Sequence, residues 1–160
     1  MVKWLVIEDR NSMLTARERW CETPRSLQRG VMQDTRNLEV AEYAHQLAVA
    51  TYRHTASFPA SERFGITSQM RRAAVSVVSN IAEGCGRRGN RELLTFLYFA
   101  AGSAKELACQ LRIATELGYG DASKADLLRE QTLRLSKMLS RLITFLRTRP
   151  PSGRQEATPL

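Results

Sequence analysis

Cysteine is scarce in this chain and shows no pairing pattern. Three of the 160 residues are cysteine, Cys21, Cys85 and Cys109. An odd count without a C-x-x-C spacing argues against a disulfide framework or a zinc site, and for a reducing compartment. Histidine is scarcer still. His45 and His54 lie nine positions apart, on opposite faces of any helix that holds both, so they do not form a pair of metal ligands. Aromatic residues make up 7% of the chain, too few to interleave with its basic residues as stacking platforms for single-stranded bases. Long apolar runs are missing as well. The run from Trp4 to Ile7 is four residues long before Glu8, Asp9 and Arg10 follow, so neither a secretion signal nor a membrane span is expected. The expected location is the cytoplasm. Acidic residues are the minority, 16 against 24 lysines and arginines, and the formal net charge is +8. Such a balance favours polyanionic partners, nucleic acid first.

The residues present divide near position 32. Residues 1–31 hold both tryptophans, Trp4 and Trp20, yet show no sustained periodicity, and Pro24 and Gly30 interrupt them. This stretch is expected to be a poorly ordered extension, with Met32 as the natural start. Residues 32–148 are expected to form the folded domain, and residues 149–160, which open on Pro150 and Pro151, a disordered tail.

Four helical patterns follow Met32. The first spans about Leu38 to Thr55, with Asn37 as cap; Val40, Ala44, Leu47 and Thr51 form its stripe, widened by Tyr43 and Ala50. "SFPASERFG" breaks the chain after it. In the second, Ile66, Met70, Ala73, Val77 and Ile81 are spaced by four, three, four and four, which predicts a helix from Ile66 to Glu83 ended by Gly84. In the third, Leu93, Leu97, Ala100, Ala104, Leu107, Leu111 and Ala114 alternate spacings of four and three from Arg91 to Leu117, the seam of helices packed lengthwise. Asn90 is the expected cap, and Gly118 the left-handed residue that closes it. The fourth spans Ser123 to Arg147, with Ser123 and Asp126 as a capping pair and Leu128, Gln131, Leu135, Met138, Leu142 and Phe145 as its seam. Helices of this length with short joints predict an all-α fold, an up-down-up-down antiparallel four-helix bundle. Val75, Val78 and Ala82 on the second helix, and Leu94, Phe96 and Phe99 on the third, exceed what one core needs. Surplus apolar surface of this kind implies self-association or a partner protein.

The stretch "GCGRRG" places Gly84, Gly86 and Gly89 in a G-x-G-x-x-G pattern. A dinucleotide site needs a strand before that loop and an acidic residue at the end of a second strand about twenty positions on. Here the preceding segment alternates neither at Ala73-Ala74 nor at Val77-Val78, and Glu106 falls inside the third helix. The loop is therefore read as a helix joint. Arg87, Arg88 and Arg91 flank it, next to a helix N-terminus, and suit phosphate oxygens. Arg72, Ser76, Asn80 and Glu83 share one face of the second helix and are read as a structural polar network, with Asn80 and Glu83 satisfying each other or a neighbouring subunit. Ser76 has no histidine at helical distance and Glu83 no paired carboxylate, so the face lacks the elements of nucleophilic or acid–base catalysis. No enzyme activity, cofactor or metal is expected.

The segment from Ser57 to Tyr119 resembles the four-helix bundle family named after 23S ribosomal RNA intervening-sequence proteins. The resemblance extends over about residues 32–146. Its most specific parts are Phe58-Pro59, Glu62, Gly65, Thr67-Ser68-Gln69, Arg72-Ala73-Ala74-Val75-Ser76, Asn80-Ile81-Ala82-Glu83-Gly84, Gly102-Ser103 and Glu106-Leu107. At Ala41 the family often has tryptophan. The resemblance implies a left-handed antiparallel bundle assembled as a homopentamer. A related branch serves diversity-generating retroelements as an accessory protein that binds nucleic acid and a reverse transcriptase. It implies no catalytic residue. Two functions then compete. One is a basic oligomer that holds nucleic acid by its phosphates, with Arg71, Arg87, Arg88, Arg91, Arg112, Arg134 and Arg141 as the candidate contacts. The other is a protein-interaction scaffold, accessory to a polymerase or a neighbouring gene product.

Overall fold

A computed structural model describes residues 39–87 and 89–148. The expected extension, the cap at Asn37, the start at Met32, Arg88 and the C-terminal tail lie outside the described residues. Among the described residues the fold has four α-helices: α1 (Glu39–Thr55), α2 (Ile66–Gly86), α3 (Asn90–Glu116) and α4 (Ala122–Thr148), with a short 3-10 turn at Ala60–Glu62 between the first two. Each helix packs along its neighbours in sequence, and α1 closes against α4. The result is the antiparallel four-helix bundle. One end gathers the start of α1, the α2–α3 turn and the end of α4; the other gathers the α1–α2 joint and the α3–α4 turn.

The apolar stripes become the core. All seven seam residues of α3, from Leu93 to Ala114, are buried. Leu47, Met70, Val77, Ile81, Leu97, Leu107, Leu111, Leu135 and Leu139 lose essentially all contact with solvent. The core also takes in Thr51 and Thr132, whose hydroxyls find a carbonyl one turn back: Thr51 donates to Leu47 O at 2.9 Å and Thr132 to Leu128 O at 2.7 Å. A hydroxyl bonded to its own helix buries a polar group without leaving it unpaired.

Four local expectations give way to other residues. Helix α2 does not end at Gly84; it runs on to Gly86, and Gly84 is buried against α3. A Cβ there would lie 2.9 Å from Phe96 Cβ and 3.0 Å from Leu93 Cδ1, so the glycine admits a close approach of the two helices rather than stopping one. Asn90 is the first residue of α3, not its cap, and Gly89 before it makes no side-chain cap bond. At α4 the capping side chain is Asp121, whose Oδ1 accepts from Lys124 N at 2.8 Å, in place of Ser123. The α4 seam is also rotated. Ala125, Thr132, Leu139 and Leu146 are buried, whereas Gln131, Leu142 and Phe145 are half-buried at the margin. Gly118 behaves as expected. With φ +72 it lets Gly118 N reach Thr115 O and Tyr119 N reach Ala114 O at 2.9 Å, a Schellman closure of α3.

The surplus apolar residues do not make one surface. Arg71 Nε donates to Thr55 Oγ1 of α1 at 2.9 Å, so the edge of α2 that carries Arg71, Val75, Val78 and Ala82 lies towards α1. Ser76 bonds Ser103 of α3, so the opposite edge lies towards α3, and Phe99 belongs with that side.

Candidate nucleic-acid interface

Seven arginines were singled out by sequence, and the bundle sorts them. Arg87 sits at the end of α2, where it pairs with Glu83 and stacks 5.3 Å over the Phe96 ring. Arg91 is exposed on the first turn of α3, at the same end of the bundle. Arg88 lies outside the described residues. Arg112 belongs to the far end, where Glu116 accepts from its Nε at 2.8 Å; that bond further favours its protonated form. Arg71 is an internal brace between α1 and α2, bonded to Thr55 and stacked 4.9 Å over Tyr52. Arg134 and Arg141 lie on the outer side of α4, both exposed. Arg134 stacks 5.1 Å over the Tyr43 ring, which places that edge of α4 beside α1. Burial raises the Tyr43 pKa, opposed by the Arg134 charge, so the phenol stays neutral beneath its cation.

Lys137, between Arg134 and Arg141 on the same edge, was missed by sequence reading, as was Arg147. The signal was available. After Glu130, α4 carries four cations, Arg134, Lys137, Arg141 and Arg147, and no acid through Thr148. Three other cations are answered on their own helix: Glu83 faces Arg87, Glu116 faces Arg112 and Asp126 faces Arg129.

The polar face of α2 resolves into two parts. Ser76 and Ser103 hydroxyls meet at 2.8 Å, and Asn80 Nδ2 donates to Ser76 O at 2.8 Å and to Ser76 Oγ at 3.1 Å. Glu83 turns to Arg87 rather than to Asn80, and Arg72 stands exposed outside the network. The Ser76–Asn80–Ser103 trio is thus a clasp between α2 and α3. No group in it can take the Ser76 proton as a base. Cys85 is buried, which raises its pKa to about 11 and leaves it unreactive. At the far end, His54 is buried with neither ring nitrogen hydrogen-bonded among the described residues. Its ring meets Phe58 edge-on at 5.2 Å. Burial lowers its pKa, with Asp121 opposing and Lys124 adding to the shift. No cluster of metal-ligating side chains occurs among the described residues, and no helix there is long and apolar enough to cross a membrane.

These features define a class: an antiparallel four-helix bundle with a close-packed core, a structural polar clasp and a surplus of exposed cations. The family model described as 23S rRNA-intervening sequence protein matches residues 36–141, and the chain belongs to that family. A crystal structure of a protein of unknown function from the S23 ribosomal protein family, from Bacteroides thetaiotaomicron, has the same fold, with a TM-score of 0.61. The two are 18% identical over 66% of this chain and 95% of that one. No curated protein matches the sequence.

Proposed function

We propose that this chain is a non-enzymatic, basic homo-oligomer that binds nucleic acid chiefly through phosphates. The observation that carries the reading is the distribution of charge. The net charge is +8, and exposed Arg72, Arg91, Lys105, Arg134, Lys137, Arg141 and Arg147 have no carboxylate within ion-pair reach among the described residues. Cations that are not neutralised by their own chain raise the local potential and draw polyanions. Family membership supports the reading by its link to ribosomal RNA in name. The exposed apolar residues support self-association, with a homopentamer as the expected assembly; five copies would multiply the field. The non-enzymatic reading draws on the clasp, where the Ser76 hydroxyl is committed to Ser103 and Asn80.

A second reading, a scaffold or accessory subunit for a polymerase or neighbouring gene product, is favoured by Phe64, which is 85% exposed, and by Phe99, 56% exposed. Light scattering combined with fluorescence anisotropy on labelled duplex DNA and structured RNA separates the two. The first reading expects a pentamer that binds at low salt. A pentamer that leaves both probes free contradicts it and favours the scaffold.

A further inference from the structure

We infer that the outward edge of the second half of α4, carried by Arg134, Lys137 and Arg141, is a phosphate track for duplex nucleic acid. The inference rests on the nucleic-acid reading above and states which face acts and on which strand form. Spacings of three and four put the three side chains on one edge of the helix, over about 10 Å of its length. All three are exposed, and the last acid before them on α4 is Glu130. A phosphate that approaches Arg87, Arg112 or Arg129 must displace Glu83, Glu116 or Asp126. One that approaches Arg134, Lys137 or Arg141 displaces only water and counterions. The Arg134 guanidinium sits with its carbon 5.1 Å over the Tyr43 ring centroid. Its N–H donors lie in the guanidinium plane, at the edges, and are left for an oxygen.

The strand form follows from what the edge lacks. Binding a flexible single strand depends on aromatic platforms beside a basic groove. The large exposed aromatics, Tyr52, Phe64, Tyr98 and Phe99, lie on α1, on the α1–α2 joint and on α3. The α4 edge is a rigid, convex row of point charges, suited to a duplex whose phosphates are already ordered. Base readout is not served either. Ser140 and Thr148 donate their hydroxyls to Ser136 O and Thr144 O of their own helix, so no sequence preference is expected.

The test is a salt series of anisotropy titrations on a short duplex DNA, the matching duplex RNA and one of the single strands. The wild-type chain is compared with R134Q/K137Q/R141Q, with K137Q/R141Q, which keeps the Arg134–Tyr43 stack, and with R63Q/K124Q/R129Q, which removes the same charge from exposed cations elsewhere. Circular dichroism checks that each is folded. On duplex the α4 triple variant should flatten the slope of log K against log salt by about two to three, and the α4 double by about two. Affinity at moderate salt should fall about tenfold or more for the triple, while the control triple changes the slope by less than about one. The DNA and RNA arms tell which duplex is held. Equal losses from the α4 and control triples, or tighter binding of the single strand than of either duplex, would overturn the inference while leaving nucleic-acid binding in place. A wild-type chain that ignores every probe at low salt would sink the nucleic-acid reading itself.

Discussion

One substitution, glycine to alanine, should have opposite signs at two places on the same helix pair. In a helix interior alanine is favoured over glycine by about 1 kcal/mol. At Gly102, midway along α3, an added Cβ meets nothing within 4 Å. Gly102→Ala should therefore keep most of that gain. At Gly84 the added Cβ would lie 2.9 Å from Phe96 Cβ, an atom fixed to the α3 backbone, and 3.0 Å from Leu93 Cδ1. The side chain cannot swing clear, so α2 and α3 must separate, and overpacking of this kind costs about 1–3 kcal/mol. The propensity gain offsets part of it, smaller here because Gly84 lies near the end of α2. The net expectation is a loss of up to about 2 kcal/mol for Gly84→Ala. The gap between the two variants then isolates the packing cost. Urea unfolding followed by circular dichroism reads it, at one protomer concentration because association adds a mass-action term. Gly84→Ala as stable as Gly102→Ala would refute the close approach of α2 and α3 at this point.

Other outcomes follow from single contacts. The His54 pKa is lowered below its ordinary 6.5, so the folded state prefers the neutral ring. Stability should be full above that ordinary value and fall as pH drops through and below it; His54→Leu should flatten this slope in thermal melts across mildly acidic pH. Asp121→Ala removes the acceptor for Lys124 N and should cost about 1 kcal/mol, again by urea unfolding. Peptide mapping after a short thiol-alkylation pulse should find Cys109, which is exposed, modified well before buried Cys85.

Much of the fold was legible because the chain repeats one signal. The α3 seam reads off the sequence without error, since every position alternates by four and three and all seven residues are large apolar or alanine. The α4 seam read less well. Thr132 looked polar, yet its hydroxyl bonds Leu128 O and so passes as core, while Phe145 looked apolar and sits at the margin. Gly84 was read as a stop because glycine usually breaks helices; only the position of Phe96, on a different helix, shows why it is there. The site was legible by residue type but not by state. Sequence put Arg71, Arg112 and Arg134 on equal terms, whereas packing binds the first to Thr55, pairs the second with Glu116 and leaves the third facing outward. Lys137 stands out only by its surroundings, the absence of acids on α4 after Glu130, and not by residue type.

The central claim is that surplus cations hold nucleic acid by its phosphates. Its most direct test is the affinity of the purified, nuclease-treated wild-type chain for duplex over a range of salt. The account predicts a straight line of log K against log salt, falling by about 0.9 for each phosphate contacted. A binding constant that does not move with salt, or no binding at low salt, would contradict it.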